Sequence, residues 1–298
     1  MRQKSYNDTA SLYLIPTPIG NLEDITIRSL NVLNTVDVIL SEDTRETMKL
    51  LKHYDISKKL ISSHQWNESK IVNQVIEYLK SGQNIGLVTD QGTPIISDPG
   101  YIISKAVIAS GYNVISLPGA TAFVPAITSS GIDPSPFLYY GFLNSHNSKQ
   151  KTELKSLKNI KYTLVFYESV HRLKNTLENM LEIFGDRFIA ISREISKLHE
   201  EVIRDNISNV IPIADTLKGE FVIVVDGNKE IIDYSAITIL EHVNLYIKDG
   251  MSEMDAIKSV AKDRGISKGI VYKEYHIGKW FDEIDSRFGK SWKRVWKY

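Results

Sequence analysis

A chain of 298 residues, 42% hydrophobic and 24% charged, exceeds what one hydrophobic core usually organises and has the make-up of a protein that folds throughout, in two packed domains with a small appendage. The absence of cysteine excludes disulfides, thiolate nucleophiles and cysteine-ligated zinc. Lysine plus arginine and aspartate plus glutamate both number 36, a formal net charge of zero, so any contact with nucleic acid has to come from local patches rather than from an overall basic surface.

Residues 1–16 hold no apolar stretch long enough for a secretory signal, and no later segment approaches the ~20 apolar residues of a membrane span, so a cytoplasmic protein is expected. Short apolar runs then alternate with amphipathic stretches of helical length. They predict strands at 12–15, 36–40, 60–62, 85–89 and 114–117, with helices near 25–35, 44–54, 70–80 and 101–110 between them. That alternation is an α/β domain over residues 1–120 built on a parallel sheet. A helix near 121–129 leads to the proline-rich break Gly131-Ile-Asp-Pro134-Ser-Pro136. Strands at 137–142, 162–167, 188–192, 201–204 and 221–225, with helices near 149–157 and 171–184, form a second α/β domain over 121–228. Its hairpin-like neighbours predict a mixed sheet. After a polar linker at 227–233, helices near 237–248, 252–264 and 267–281, separated by Gly250 and Gly265, make a C-terminal helical module over 236–298.

The most informative segment is Val88-Thr-Asp90-Gln-Gly92-Thr-Pro94-Ile-Ile-Ser97-Asp98-Pro99-Gly100. It follows a buried strand and precedes a helix, where α/β folds place ligands. Glycine there permits close backbone approach, the prolines stiffen the loop, and Asp90 is placed to accept hydrogen bonds from a ribose or a cation. A tight turn with an Asp-Pro helix start is the competing reading of any one of these residues. Pro16-Thr-Pro18-Ile-Gly20-Asn21 after the first strand and Pro118-Gly119-Ala-Thr121-Ala122 after the last strand of the first domain have the same placement, so three loops outline one cleft. The chain has neither a Walker phosphate loop nor a G-x-G-x-x-G fingerprint, which argues against a nucleoside triphosphate or nicotinamide ligand.

With Ser41-Glu-Asp-Thr-Arg45, Leu117-Pro-Gly119, Tyr167-Glu-Ser-Val-His-Arg172, Arg193-Glu194 and Lys218-Gly-Glu-Phe221, these loops run in an order that resembles the tetrapyrrole methylase superfamily, and within it the group of ribosomal RNA small-subunit methyltransferases I. Val170 and Gln91 depart from the group's usual proline and alanine. The resemblance implies S-adenosylmethionine held between the two α/β domains, without a metal. It implies 2′-O-methylation of a cytidine in the decoding region of the small ribosomal subunit by a homodimer, with naked ribosomal RNA or the assembled 30S subunit as partner and no role for DNA or membrane. Pro18, Gly20, Asp90, Gly92, Pro94, Ser97, Gly119, Thr121, Ala122, Phe142 and Gly219 are then the expected cofactor contacts.

A methyl donor that is already a strong electrophile needs mainly alignment with its acceptor, helped by a base for the hydroxyl or a cation for the developing alkoxide. Glu42, Asp43, Arg45, Glu168 and Arg193 are the expected catalytic groups, with His64, Asp90, His171, Arg172 and Glu194 as further candidates. Competing readings are helix capping by Asp43 or Thr44 with Arg45 paired to Glu42, and ion pairing of Arg172 and Arg193 to Glu168 or Glu194 in place of RNA phosphate. Arg172, Lys268, Lys293 and Arg294 are the expected RNA contacts. From Lys262 onward basic residues outnumber acids ten to five, and tail aromatics alternate with cations. Methylation of a tetrapyrrole carbon and a non-catalytic ribosome-assembly role are the alternatives.

Overall fold

The computed structural model describes residues 3–5, 9–229, 234 and 237–288. The chain divides into two compact units, 1–228 and 229–298, and both sheets fall in the first. Strands β1 (Ser11–Leu14), β2 (Val38–Ser41), β3 (Lys59–Ser62), β4 (Ile85–Val88) and β5 (Asn113–Ser116) form a fully parallel sheet in the order β3-β2-β4-β1-β5. The central strands β2 and β4 are buried at every position. Their sequences, apolar but for Ser41 and Gly86, lack a polar alternation because helices cover both faces of the sheet.

The chain steps outward from β1 to β2 to β3, then returns to β4 and crosses to β5. Right-handed crossovers therefore place α1 (Ile27–Thr35) and α2 (Thr44–His53) on one face, and α3 (Glu68–Lys80) and α4 (Tyr101–Ala109) on the other. Leu33 and Leu51 pack with Ile15 and Ile39 on the first face, and Val75, Leu79, Ile103 and Val107 pack with Leu12 and Leu40 on the second. This reversal between β1 and β4 opens a crevice at the carboxyl edge of the sheet, where every loop that leaves a strand must emerge. The start of α4 forms part of that edge. The cap residue Gly100 has no side chain, and the buried carboxylate of Glu68 in α3 accepts the Ile103 N–H at 3.0 Å instead.

The second sheet has the order β6 (Phe137–Phe142), β7 (Thr163–Ser169), β10 (Glu220–Val225), β8 (Phe188–Arg193), β9 (Glu201–Asn206). Only β6 and β7 are parallel, so the sheet is mixed, as the hairpin-like spacing implied. Helix α5 (Phe123–Ser130) covers one face against Val165, Ala190, Val222 and Val224. The other face is covered by α6 (Asn147–Leu157), α7 (Leu173–Phe184), the short α8 (Ile207–Val210) and a 3-10 turn at Ile211–Thr216. These last two elements are additions to the sequence reading, being too short to carry a helical period.

In the second unit, α9 (Ile239–Lys248), α10 (Glu253–Asp263) and α11 (Lys268–Phe288) pack around Val243, Ile257, Val260, Val271 and Tyr275. Thr238 and Glu241 close a reciprocal capping box at the start of α9.

Candidate active site at the carboxyl edge of the parallel sheet

The loop after β4 is laced to both its neighbours. Thr17 and Gly92 exchange backbone hydrogen bonds at 2.9 and 3.0 Å, and the Thr17 hydroxyl donates to the Thr89 carbonyl at 3.1 Å. Thr93 donates to the Ala120 carbonyl at 2.8 Å, which ties in the loop after β5. Gly119 lies so close to the loop after β1 that a Cβ there would sit 2.5 Å from Pro16 Cβ. Ile95 and Ser97 hold left-handed backbone, at φ 77° and 65°, a conformation that costs side-chain-bearing residues about 1–3 kcal/mol each and persists where the surroundings fix it. Ser97 is fixed from across the crevice, because its hydroxyl and the Tyr139 hydroxyl of β6 are 2.7 Å apart. Gly141 makes room for that contact: a Cβ at its position would stand 2.9 Å from Ser97 Oγ.

A cavity of about 460 Å³ opens between these loops and the second sheet. Its walls are rich in carboxylates: Glu42, Asp90 and Asp98 from the first sheet, Glu168 and Glu194 from the second. Asp98 is pushed up to about 6, mainly by burial and then by Glu42 and Asp90, with the Thr89 hydroxyl pulling the other way. That hydroxyl also donates to Glu42 at 3.1 Å. One proton thus serves two facing carboxylates, so the group that best relieves them is a cation. Burial likewise raises the Tyr139 and Tyr167 phenols. Glu194 is half-buried, which alone would raise it, yet Lys197 at 3.1 Å and the Glu220 N–H at 3.2 Å hold it below the ordinary carboxylate range. Lys197 is the one lysine or arginine among the lining residues and is already paired with Glu194 and Glu220. The first-sheet carboxylates of the cavity therefore suit a positively charged ligand.

A family model described as Tetrapyrrole (Corrin/Porphyrin) Methylases matches residues 11–211, both sheets except β10. The chain belongs to this family. It is 48% identical to the Ribosomal RNA small subunit methyltransferase I of Bacillus subtilis, over 93% of this chain and 98% of that one. It is 43% identical to the protein of the same name from Halalkalibacterium halodurans, over 92% and 98%. The fold of this tetrapyrrole methylase also matches the crystal structure of uroporphyrin-III C-methyl transferase from Thermus thermophilus complexed with S-adenyl homocysteine. That match has a TM-score of 0.54 and 15% identity, and covers 73% of this chain and 97% of that one.

The structure brings Asp90, Gly92, Ser97, Thr121, Ala122 and Phe142 to the wall of the cavity. Pro18 and Gly20 line a second cavity of about 390 Å³, which adjoins the first through Thr89, Asp90 and Gln91. Pro94 is buried within the loop. Gly219, at φ 103°, leaves room for the Glu194 carboxylate, which a Cβ would meet at 2.3 Å. Among the acidic and basic residues of the sequence reading, Glu42 faces the cavity, whereas Asp43 caps α2 by accepting the Arg45 N–H at 2.8 Å. The cap therefore belongs to Asp43 rather than Thr44. Arg45 pairs with Asp43 at 2.6 Å and not with Glu42, whose side chain is turned to Thr89. Arg45 in turn holds the Asp43 carboxyl down to about 2.

Glu168 is fully buried and accepts from Thr176 at 2.6 Å, from its neighbour's Ser169 N–H at 2.8 Å and from Arg172 at 3.3 Å. Arg172 also donates to the Leu143 and Asn144 carbonyls, so its guanidinium braces the turn before α6. Arg193 pairs across the β8–β9 hairpin with Glu201 at 2.6 Å, not with Glu168 or Glu194. His64 accepts the Trp66 N–H in the loop after β3, and His171 lies in the turn before α7. Lys268 is exposed at the start of α11, while Lys293 and Arg294 lie outside the described residues. The sequence reading missed Asp98, Tyr167 and Lys197 as cavity residues. For Asp98 the signal was present, since it sits inside the most informative loop, but its place before Pro99 reads first as a helix start.

Proposed function

We propose that this tetrapyrrole methylase transfers a methyl group from S-adenosylmethionine to the 2′-hydroxyl of a cytidine in the decoding region of small-subunit ribosomal RNA. The observation that carries the reading is the carboxylate-lined cavity at the β1–β4 crossover, in a chain nearly half identical, over almost its whole length, to a ribosomal RNA small subunit methyltransferase I. The donor is a sulfonium with an ammonium at one end, the charge type that relieves Glu42, Asp90 and Asp98. When bound it supplies an electrophilic methyl. The residues then have to bind, orient and exclude water. Asp98 and Asp90 hold the cationic groups, Gly92 and Thr121 bring backbone close, and Phe142 and Tyr167 close the cavity from the second sheet. Glu42 is the carboxylate placed to take the hydroxyl proton. Asp43 and Arg45 set the end of β2 that aims Glu42, and Glu168 and Arg193 hold the second-sheet wall. Lys268, Lys293 and Arg294 supply positive charge for RNA phosphates. The enzyme works in the cytoplasm as a homodimer.

Mass mapping of ribose methylation in small-subunit RNA, from cells with and without this gene, is expected to lose one methyl at a decoding-region cytidine; an unchanged map removes the RNA assignment. Asp90→Ala is expected to weaken S-adenosylmethionine binding at least tenfold by isothermal titration. The melting temperature should shift by no more than a few degrees, because the hydrogen bond that disappears, from the Asp43 N–H at 3.0 Å, is worth about 1 kcal/mol. Affinity equal to the wild type would show that this loop does not hold the donor.

A further inference from the structure

The second cavity touches the carboxylate-lined one only through Thr89, Asp90 and Gln91. Its opposite wall is α2, which contributes Glu46, Lys49, Leu50 and His53, one face of that helix by their spacing of three and four residues. Along that face Lys49 and His53 continue a row that begins at Arg45, at four-residue intervals and a rise of about 6 Å per step. The Arg45 side chain is 85% exposed and that of Lys49 71%. Glu46, the carboxylate partner of Lys49, is 51% exposed, so that pair is of the solvent-facing kind that exchanges readily for a phosphate, whereas Arg45 keeps Asp43 and offers its exposed edge. In a chain of zero formal net charge, such a row is the local patch that a polyanion requires.

An aromatic ring stands at the same edge. β3 lies beside β2, and its outgoing loop is tied to β2 by the Ser63 N–H bonded to the Ser41 carbonyl at 2.7 Å. That loop carries Trp66, which is 83% exposed. A single exposed tryptophan needs no explanation by itself. An indole, a row of basic side chains and a nucleotide-sized hollow on one sheet edge are together the set that holds single-stranded RNA: stacking for a base, charge for the backbone, a pocket for one extruded nucleotide.

We infer that the α2 rim and the cavity beneath it are the acceptor-strand site: the RNA backbone runs along Arg45, Lys49 and His53, Trp66 stacks on a flanking base, and the acceptor nucleotide enters toward Asp90 and Gln91. This rests on the methyltransferase reading and adds to it a chamber for the acceptor that adjoins the donor chamber at Thr89, Asp90 and Gln91.

The experiment uses the full chain, a fluorescein-labelled RNA fragment of the decoding region and S-adenosylmethionine. The variants are the double substitution Lys49→Glu with His53→Glu, and, separately, Trp66→Ala. For the double substitution, RNA affinity by anisotropy is expected to fall at least tenfold. The slope of log affinity against log salt should flatten by ~0.7, for the one phosphate of a single strand that Lys49 no longer neutralises. Trp66→Ala should cost about tenfold, in the range of one base stack. Affinity for S-adenosylmethionine, by titration, should stay within twofold of wild type in both, which also shows that the variants are folded. RNA affinity unchanged in both, donor affinity falling in step with RNA affinity, or displacement of the RNA by uroporphyrin in preference to unlabelled RNA would each overturn the assignment. A wild-type protein that binds RNA through this rim yet transfers no methyl to it would leave the rim standing and remove the methyltransferase reading.

Discussion

Asp98→Asn is expected to raise the melting temperature by about 2–4 °C while lowering affinity for S-adenosylmethionine at least tenfold. The two signs have one cause. Asp98 is pushed up to about 6 by burial and by the facing carboxylates of Glu42 and Asp90, so ionising it in the folded chain is unfavourable. A folded-state value above the unfolded one means that the folded state binds the proton more tightly, and stability falls as pH rises between about 4 and 6. The cost is absent below that window and constant above it. Because Asp98 is only part-buried, solvent screening reduces the full linkage figure to about 1 kcal/mol. Asparagine keeps the size and a hydrogen bond to Thr89 but removes the charge, so the penalty and its pH dependence disappear together. The same charge is what a sulfonium or ammonium group meets in the cavity. Wild-type donor affinity should accordingly fall as pH drops through 6, and the asparagine variant should be flat across that range. Thermal melts and titrations at pH 5 and pH 8 read both effects. A variant that is no more stable than wild type at pH 8 would show that ionised Asp98 does not burden the fold, and one that binds the donor equally well would show that the Asp98 charge does not meet the donor's cation.

The strands were legible because both sheets are made of short apolar runs, and the mixed character of the second sheet followed from β8 and β9 standing too close in sequence for a helical crossover. The three loops of the cleft were legible for a related reason. Glycine and proline after a strand mark places where backbone must turn tightly or come close, and Gly92, Gly119 and Pro16 do so in this fold. What remained hidden depends on residues brought together only by the sheet order. Nothing near Asp98 in sequence says that Glu42 stands opposite it with one hydroxyl between them. Nothing near Arg193 names Glu201 as its partner until the β8–β9 register is known. Lys197 sits in an undistinguished polar segment. Its part in the site depends on Gly20, across the crevice, where a Cβ would stand 2.3 Å from its Cγ.

Gly119→Ala is expected to lower the melting temperature by several degrees and to weaken donor binding together, for a reason that separates it from a glycine such as Gly111. A Cβ at Gly119 would stand 2.5 Å from Pro16 Cβ and 2.8 Å from its Cγ. The obstacle is a ring fused to the backbone and has no rotamer in which to retreat. Overpacking of this kind costs about 1–3 kcal/mol, or roughly 2–10 °C. The strain is relieved only by spreading the loops after β1 and β5. Those loops carry Thr17, which is bonded to Gly92, and Thr121 and Ala122 on the cavity wall. Gly111 supplies the contrast. It is left-handed at φ 84°, and a Cβ at its position would have nothing within 4 Å, so Gly111→Ala costs only the backbone conformation, about 1 kcal/mol. Its donor affinity should equal wild type. If Gly119→Ala also binds the donor as tightly as wild type, the close approach of Gly119 to Pro16 does not shape the cavity.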